Sequence, residues 1–150
     1  MTKTINISYC HCSLDELAAA DRQLVEAAFE ATRQAYAPFS GFRVGAAARL
    51  RSGEIITAAN CESEVFPSGL CAERSLLHYY ATNYAPDPIE ALAIASDPSE
   101  RECYPCGACR QVILDAERRQ QSPIRIIMAG GGTATVVESA ETLLPFTFKL

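Results

Sequence analysis

The pattern of apolar residues predicts an α/β protein in three layers (α/β/α), a mixed sheet of about five strands with helices on both faces. Three observations carry this. Helix-like and strand-like segments follow one another in the order α-β-β-α-β-α-β-β-α. The segment 89–96 (IEALAIAS) is short, apolar and bounded by prolines, as a strand buried on both faces must be. The chain has 150 residues, enough for one domain that buries roughly two-thirds of its unfolded surface without disulfides or other staples.

Each element has a local reason. Residues 1–12 read as an uncommitted tail, leaving 13–150 as the domain. Ser13-Leu14-Asp15-Glu16 has the form of a capping box, with serine at the cap and glutamate three later. Leu14, Leu17, Leu24, Val25, Ala28, Phe29 and Tyr36 follow at helical spacing, which predicts a long helix over 14–36 that ends before Pro38. Residues 43–50 and 54–60 read as strands joined by the Ser52-Gly53 turn, hence a hairpin. A helix is expected over 71–84. Another follows Pro105 over 107–119, with the proline in its first turn. Strands 124–128 and 133–137 flank the turn Gly130-Gly131-Gly132, and Ser139 caps a last short helix to Leu144. The unit from strand 89–96 through a helix to strand 124–128 is expected to be a parallel crossover.

Composition excludes several functions. With 13 basic and 18 acidic residues the net charge is −5, and no basic run offers a grip on a nucleic-acid polymer or an anionic membrane. No apolar run approaches the ~20 residues of a membrane helix, and the polar start MTKTINISYCHC lacks a signal-peptide core, so the expected location is the cytoplasm. Seven cysteines, an odd number, then read as buried, metal-binding or catalytic thiols rather than disulfides. Cys61 is expected to be a small buried residue, Cys103 a non-ligand neighbour, and Cys10-His11-Cys12 incidental residues of the tail. His78 reads as a helix-face residue, and Glu117-Arg118-Arg119 as a solvated helix end.

The chemistry concentrates in Cys71-Ala72-Glu73-Arg74 and Pro105-Cys106-Gly107-Ala108-Cys109-Arg110. Each group opens a predicted helix, where unpaired N–H groups favour thiolate over thiol. Cys106 and Cys109, three apart, share a face. Three thiolates and an open fourth position suit a catalytic zinc, one per chain. Glu73 is the discriminating residue, because a carboxylate beside an activated water can take and return its proton. One tension is geometric: residues two apart, such as Cys71 and Glu73, point to different sides of an ideal helix. Arg74 supplies a guanidinium that offsets the excess negative charge of three thiolates on one dication. A structural zinc would close with a fourth ligand, for which Cys61, Cys103 and His78 are the spare candidates; His78, about two turns past Cys71, lies too far to reach the metal.

The order C-x-E and then P-C-x-x-C is a general signature of zinc deaminases acting on nucleobases. With YAPFSGFRVGAAA at 36–48, NCE at 60–62, GLCAER at 69–74, PCGACRQV at 105–112 and LLPFTF at 143–148, the chain resembles the small tetrameric zinc-dependent cytidine deaminases of pyrimidine salvage, from about Leu24 to Leu150. The resemblance implies a cytidine-deaminase-like fold and a hydrolase acting on a nucleoside in a homotetramer with shared active sites. Cys71, Cys106 and Cys109 would hold zinc, with Arg74 beside them, and Glu73 would shuttle protons. Phe39 would pack on the pyrimidine, Asn60 and Glu62 would hold the ribose 3′ hydroxyl, the Ala72 N–H would meet the base carbonyl, and Phe148 would cap the base in a neighbouring subunit. Three positions depart from the pattern: Glu64 and Phe66 stand where alanine and tyrosine are usual near the 5′ hydroxyl, and Tyr104 where serine or threonine precedes the proline. The first two imply that 5′-phosphorylated substrates are rejected. Tyr104, near the leaving amine, implies tolerance of substituted cytosines.

Overall fold

The computed structural model describes residues 1–150. Its elements run β1 (Cys10–Ser13), α1 (Ala19–Ala31), β2 (Arg43–Leu50), β3 (Ile55–Ala59), α2 (Ala72–Asn83), β4 (Ile89–Asp97), α3 (Gly107–Gln120), β5 (Arg125–Gly130) and β6 (Thr133–Val137). They form a mixed sheet of six strands in the order β1-β6-β5-β4-β2-β3. The β4-α3-β5 unit is parallel and every other pairing is antiparallel, including the β2–β3 hairpin. No helix is long and apolar enough to cross a membrane.

The sheet has six strands rather than five because Cys10-His11-Cys12 is not a tail. His11 lies opposite Thr135 and Cys12 opposite Ala134 in an antiparallel ladder with β6. Cys12 packs into the apolar layer beneath α1. These three residues carry no strand pattern of their own; an exposed β6 edge gives them one.

The period of two decides what each face holds. On β4, Leu92 and Ile94 join Leu76, Leu77 and Tyr80 of α2 and Ile113 and Leu114 of α3. Ala91, Ala93 and Ala95, pointing the other way, join Leu24, Val25 and Ala28 of α1. The α1 face is thus paved with alanine, and the helix backbone settles close. A Cβ built on Gly45 would fall 1.9 Å from the Ala28 carbonyl oxygen. At its start α1 is tied down by Asp21, which is 5% exposed and accepts from Arg49 (3.2 Å) and Arg125 (2.9 Å). A carboxylate that far from water needs such partners.

Three other expectations are corrected. The predicted helix 14–36 is broken. Glu16 does accept from the Ser13 N–H at 2.7 Å, as a capping box requires, but it closes only a 3-10 turn over Leu14–Glu16. Leu14 is still bonded to the β5–β6 turn (N–H to Gly132 O, 3.1 Å), so the chain must extend through Leu17 and Ala18 before α1 can cross the sheet. A second 3-10 turn, Thr32–Gln34, finishes the segment. The last helix is likewise a 3-10 turn, Ala140–Leu143, capped by Ser139 Oγ as its sequence suggests. Glu117 is 7% exposed rather than solvated. It accepts from Ile124 N–H (2.8 Å), Ala140 N–H (2.8 Å) and Ser139 Oγ (2.6 Å), joining α3 to the start of β5 and the closing turn.

Two outcomes test this packing. Gly45→Ala must push α1 off β2 and is expected to cost about 1–3 kcal/mol, a loss of roughly 2–4 °C per kcal/mol in thermal midpoint. Removal of residues 1–12 is expected to lower the midpoint as well, because it strips β6 of its partner; a truncated chain as stable as the full one would return these residues to the status of a tail.

Candidate active site

The N-termini of α2 and α3 lie side by side. Cys71 is the cap of α2, where the sequence suggests its first helical residue, and Cys106 is the cap of α3, both with extended backbone. Pro105 consequently precedes the cap instead of sitting in the first turn. The chain is delivered to Cys71 by a small bridge, Cys61 N–H to Leu70 O and Leu70 N–H to Cys61 O, each 3.0 Å. Cys61 is exposed, not buried; its backbone is the useful part.

The sulfurs of Cys71, Cys106 and Cys109 all lie within 4.8 Å of one another. Cys71 and Cys106 are 3.9 Å apart, and Cys106 and Cys109 3.4 Å. Three thiolates bound tetrahedrally at about 2.3 Å would be about 3.8 Å apart, so the cradle fits zinc. Arg74 Nη2 donates to Cys71 Sγ at 3.7 Å, and its buried Nε has no partner. The Cys71 thiol is drawn well below its usual range by hydrogen bonding from Cys109, helped by Arg74 and Cys106. The Cys109 thiol is driven upward by the same bond and by burial. Shared protons of this kind are what a dication displaces on binding.

Glu73 is the second residue of α2 and is 3% exposed. Burial pushes its carboxyl up to about 7, and the charge of Cys71 adds to the rise. A group poised there can both accept and release a proton near neutrality. The tension between Cys71 and Glu73 disappears, because Cys71 is an extended cap and the two side chains do not both belong to the helix. Cys103 is a buried neighbour outside the sulfur cluster; burial and the Glu73 charge push its thiol up to about 11.

Around this centre the structure distributes the remaining candidates unevenly. Asn60 Oδ1 accepts from Val44 N–H (2.8 Å), and its Nδ2 donates to Phe42 O (3.0 Å). Glu62 Oε1 accepts from the N–H groups of Phe39 (3.0 Å) and Ser40 (3.1 Å). Both side chains therefore hold the 39–44 loop. Ala72 is fully buried at the first turn of α2. Phe39 is 60% exposed and Phe148 73% exposed. Phe42, which the sequence reading passed over, lines a groove of about 970 Å³ with Ser96, Glu102, Cys103 and Tyr104. Its signal was weak: one of two phenylalanines in the same PFSGF segment. Tyr104 turns its hydroxyl to Glu102 (2.9 Å). Glu64 and Phe66 are exposed on the stretch before Leu70, and His78 on the outer face of α2.

Residues 18–122 match the family model described as the cytidine and deoxycytidylate deaminase zinc-binding region. The chain belongs to this deaminase family. Among its relatives is the cytidine deaminase of Halalkalibacterium halodurans, 40% identical over 96 residues, or 63% of this chain and 71% of that one. A probable cytidine deaminase of Dictyostelium discoideum is 30% identical over 83% of this chain and 81% of its own length. The crystal structure of cytidine deaminase from Burkholderia pseudomallei superposes with a TM-score of 0.71 at 34% identity, covering 84% of this chain and 97% of that one. Family membership and the three-sulfur cradle together make the chain a zinc-dependent deaminase.

Purified protein is expected to carry about one zinc per chain. Cys106→Ala is expected to lose it under dialysis that the wild type survives, as elemental analysis of both would measure.

Proposed function

We propose that this chain hydrolyses cytidine and deoxycytidine to uridine and deoxyuridine with release of ammonia, a reaction of pyrimidine salvage. The observation that carries the reading is the placing of a buried, near-neutral carboxyl, Glu73, directly after a cap cysteine of the three-sulfur cradle. Cys71, Cys106 and Cys109 would hold the zinc. Bound there, it is a Lewis acid that lowers the pKa of water toward ~7.

The protein residues then do the following. Glu73 takes the proton of the attacking water and passes it to ring N3. It moves a second proton to the leaving amino group, so that ammonia departs from C4. Its burial keeps the carboxyl from being a fixed anion, which lets it serve as base and then acid. Arg74 donates to Cys71 and holds that sulfur in place as charge shifts. The Ala72 N–H, free at the first turn of α2, is directed to the base carbonyl. Phe39, and Phe42 beside the groove, offer ring faces to the pyrimidine. Asn60 and Glu62 anchor the loop that bears these rings and meet the ribose 3′ hydroxyl with the acceptor capacity left to them.

The reading extends to a cytoplasmic homotetramer in which Phe148 closes a neighbouring site. Support comes from the tail. Arg118 donates to Thr147 Oγ1 (3.0 Å) and Phe148 O (3.4 Å), so the tail is held while the Phe148 ring stays exposed. An odd number of cysteines, seven, suits a reducing compartment. Tyr104 beside Pro105, with Glu64 and Phe66, favours a second reading, a deaminase of a modified cytidine or a cytosine-bearing nucleoside antibiotic.

Loss of cytidine absorbance with stoichiometric ammonia is the expected result. Glu73→Gln is expected to cut turnover at least about a hundredfold while keeping its zinc. CMP is expected to be a poor substrate beside Glu64. Near-full activity in Glu73→Gln would overturn the mechanism, and zinc-loaded protein inert on cytidine but active on substituted cytidines would favour the second reading.

A further inference from the structure

Glu102 lies four residues before Cys106 and has no part in the chemistry above. Its side chain is 7% exposed. It accepts from Thr135 Oγ1 (2.6 Å), Thr133 Oγ1 (2.7 Å) and the Tyr104 hydroxyl (2.9 Å), and His11 Nδ1 lies 3.1 Å away. The partners come from β6, from β1 and from the segment that enters α3. Burial alone would raise this carboxyl, but the Thr135, Thr133 and Tyr104 hydroxyls and His11 hold it below the ordinary value, so the surroundings favour its charged form.

The connection from β4 to α3 shows what such an anchor does. Its first half lies on the β5–β6 turn, fixed by Gly131 N–H to Ser99 O (2.9 Å) and Cys103 N–H to Ala129 O (3.1 Å). The fit is tight: a Cβ on Gly130 would fall 2.0 Å from Arg101 O. Between Cys103 and the cap of α3 the chain relies on side chains, Tyr104 bonded to Glu102 and Pro105 O accepting from Arg110 Nε at 2.8 Å.

We propose that Glu102 is a positioning residue for the metal cradle: by anchoring the Tyr104 hydroxyl to β6 and β1, it fixes the segment 103–106 and so the placing of the Cys106 sulfur against Cys71 and Cys109. The inference rests on the cradle being a zinc site. It also gives β1 a task, since His11 closes one side of the anchor.

The test times zinc release from loaded protein to a chromophoric chelator, for the wild type, Tyr104→Phe, Glu102→Ala and the double variant, with thermal midpoints measured alongside. Tyr104→Phe removes one hydroxyl of a half-exposed ring and leaves the core intact. Both single variants are expected to release zinc about tenfold faster. The double variant is expected to be no faster than Glu102→Ala, because the two act in series. Release from Tyr104→Phe at the wild-type rate overturns the proposal, as does additivity in the double variant or a Glu102→Ala effect confined to the midpoint. If Glu102→Ala does not fold, Tyr104→Phe decides alone. Zinc release is read without substrate, so inertness toward cytidine would count against the proposed reaction and leave this inference standing.

Discussion

Like charges disfavour each other's ionisation, so three sulfurs within 4.8 Å of one another cannot all be thiolates unless a cation lies among them. Much of the molecule follows from meeting that constraint. Two of the sulfurs belong to helix caps, so α2 and α3 must start at one place, where their unpaired N–H groups add positive potential. The Cys61–Leu70 bridge sets where α2 begins. The connection laid over the β5–β6 turn sets where α3 begins, and glycine at 130 is what allows that connection to lie so close.

The two faces of the sheet divide the work. On the α2/α3 face, leucine and isoleucine side chains fill the space beneath helices that carry the ligands. On the α1 face alanine leaves so little space that helix and sheet meet almost backbone to backbone. That close backing is secured by Asp21 against Arg49 of β2 and Arg125 of β5. Rigid elements under a metal site hold ligand geometry better than loops do.

The parts of the site legible in the sequence were those in which a few adjacent residues carry the chemistry. CAER gives a candidate ligand, its charge partner and a helix start, PCGACR gives two candidate ligands and a helix start, and the structure brings Cys71, Cys106 and Cys109 together as that pattern requires. The misreadings concern residues whose partners are distant. Glu117 looks like part of a charged helix end until the N–H groups of Ile124 and Ala140 arrive to bond it. Asn60 and Glu62, singled out as ribose contacts, also hold a loop some twenty residues upstream, a task no local pattern announces. Cys61 looks like a core residue and is exposed, because the bridge to Leu70 uses its backbone alone.

The sequence by itself determined the α/β class, the strands and helices with strong period, the hairpin turns at glycine and which three cysteines gather. Period and turn chemistry are local properties, written within a few residues of where they act. Only the tertiary structure decided the sixth strand, the break after Glu16, the exposure of Phe39 against the groove position of Phe42, and the shared anchor at Glu102. Each depends on which surface is brought opposite a segment. A short polar stretch becomes a strand when it meets an unpaired edge, and a carboxylate becomes an anchor when three hydroxyls and a histidine ring from three separate segments converge on it.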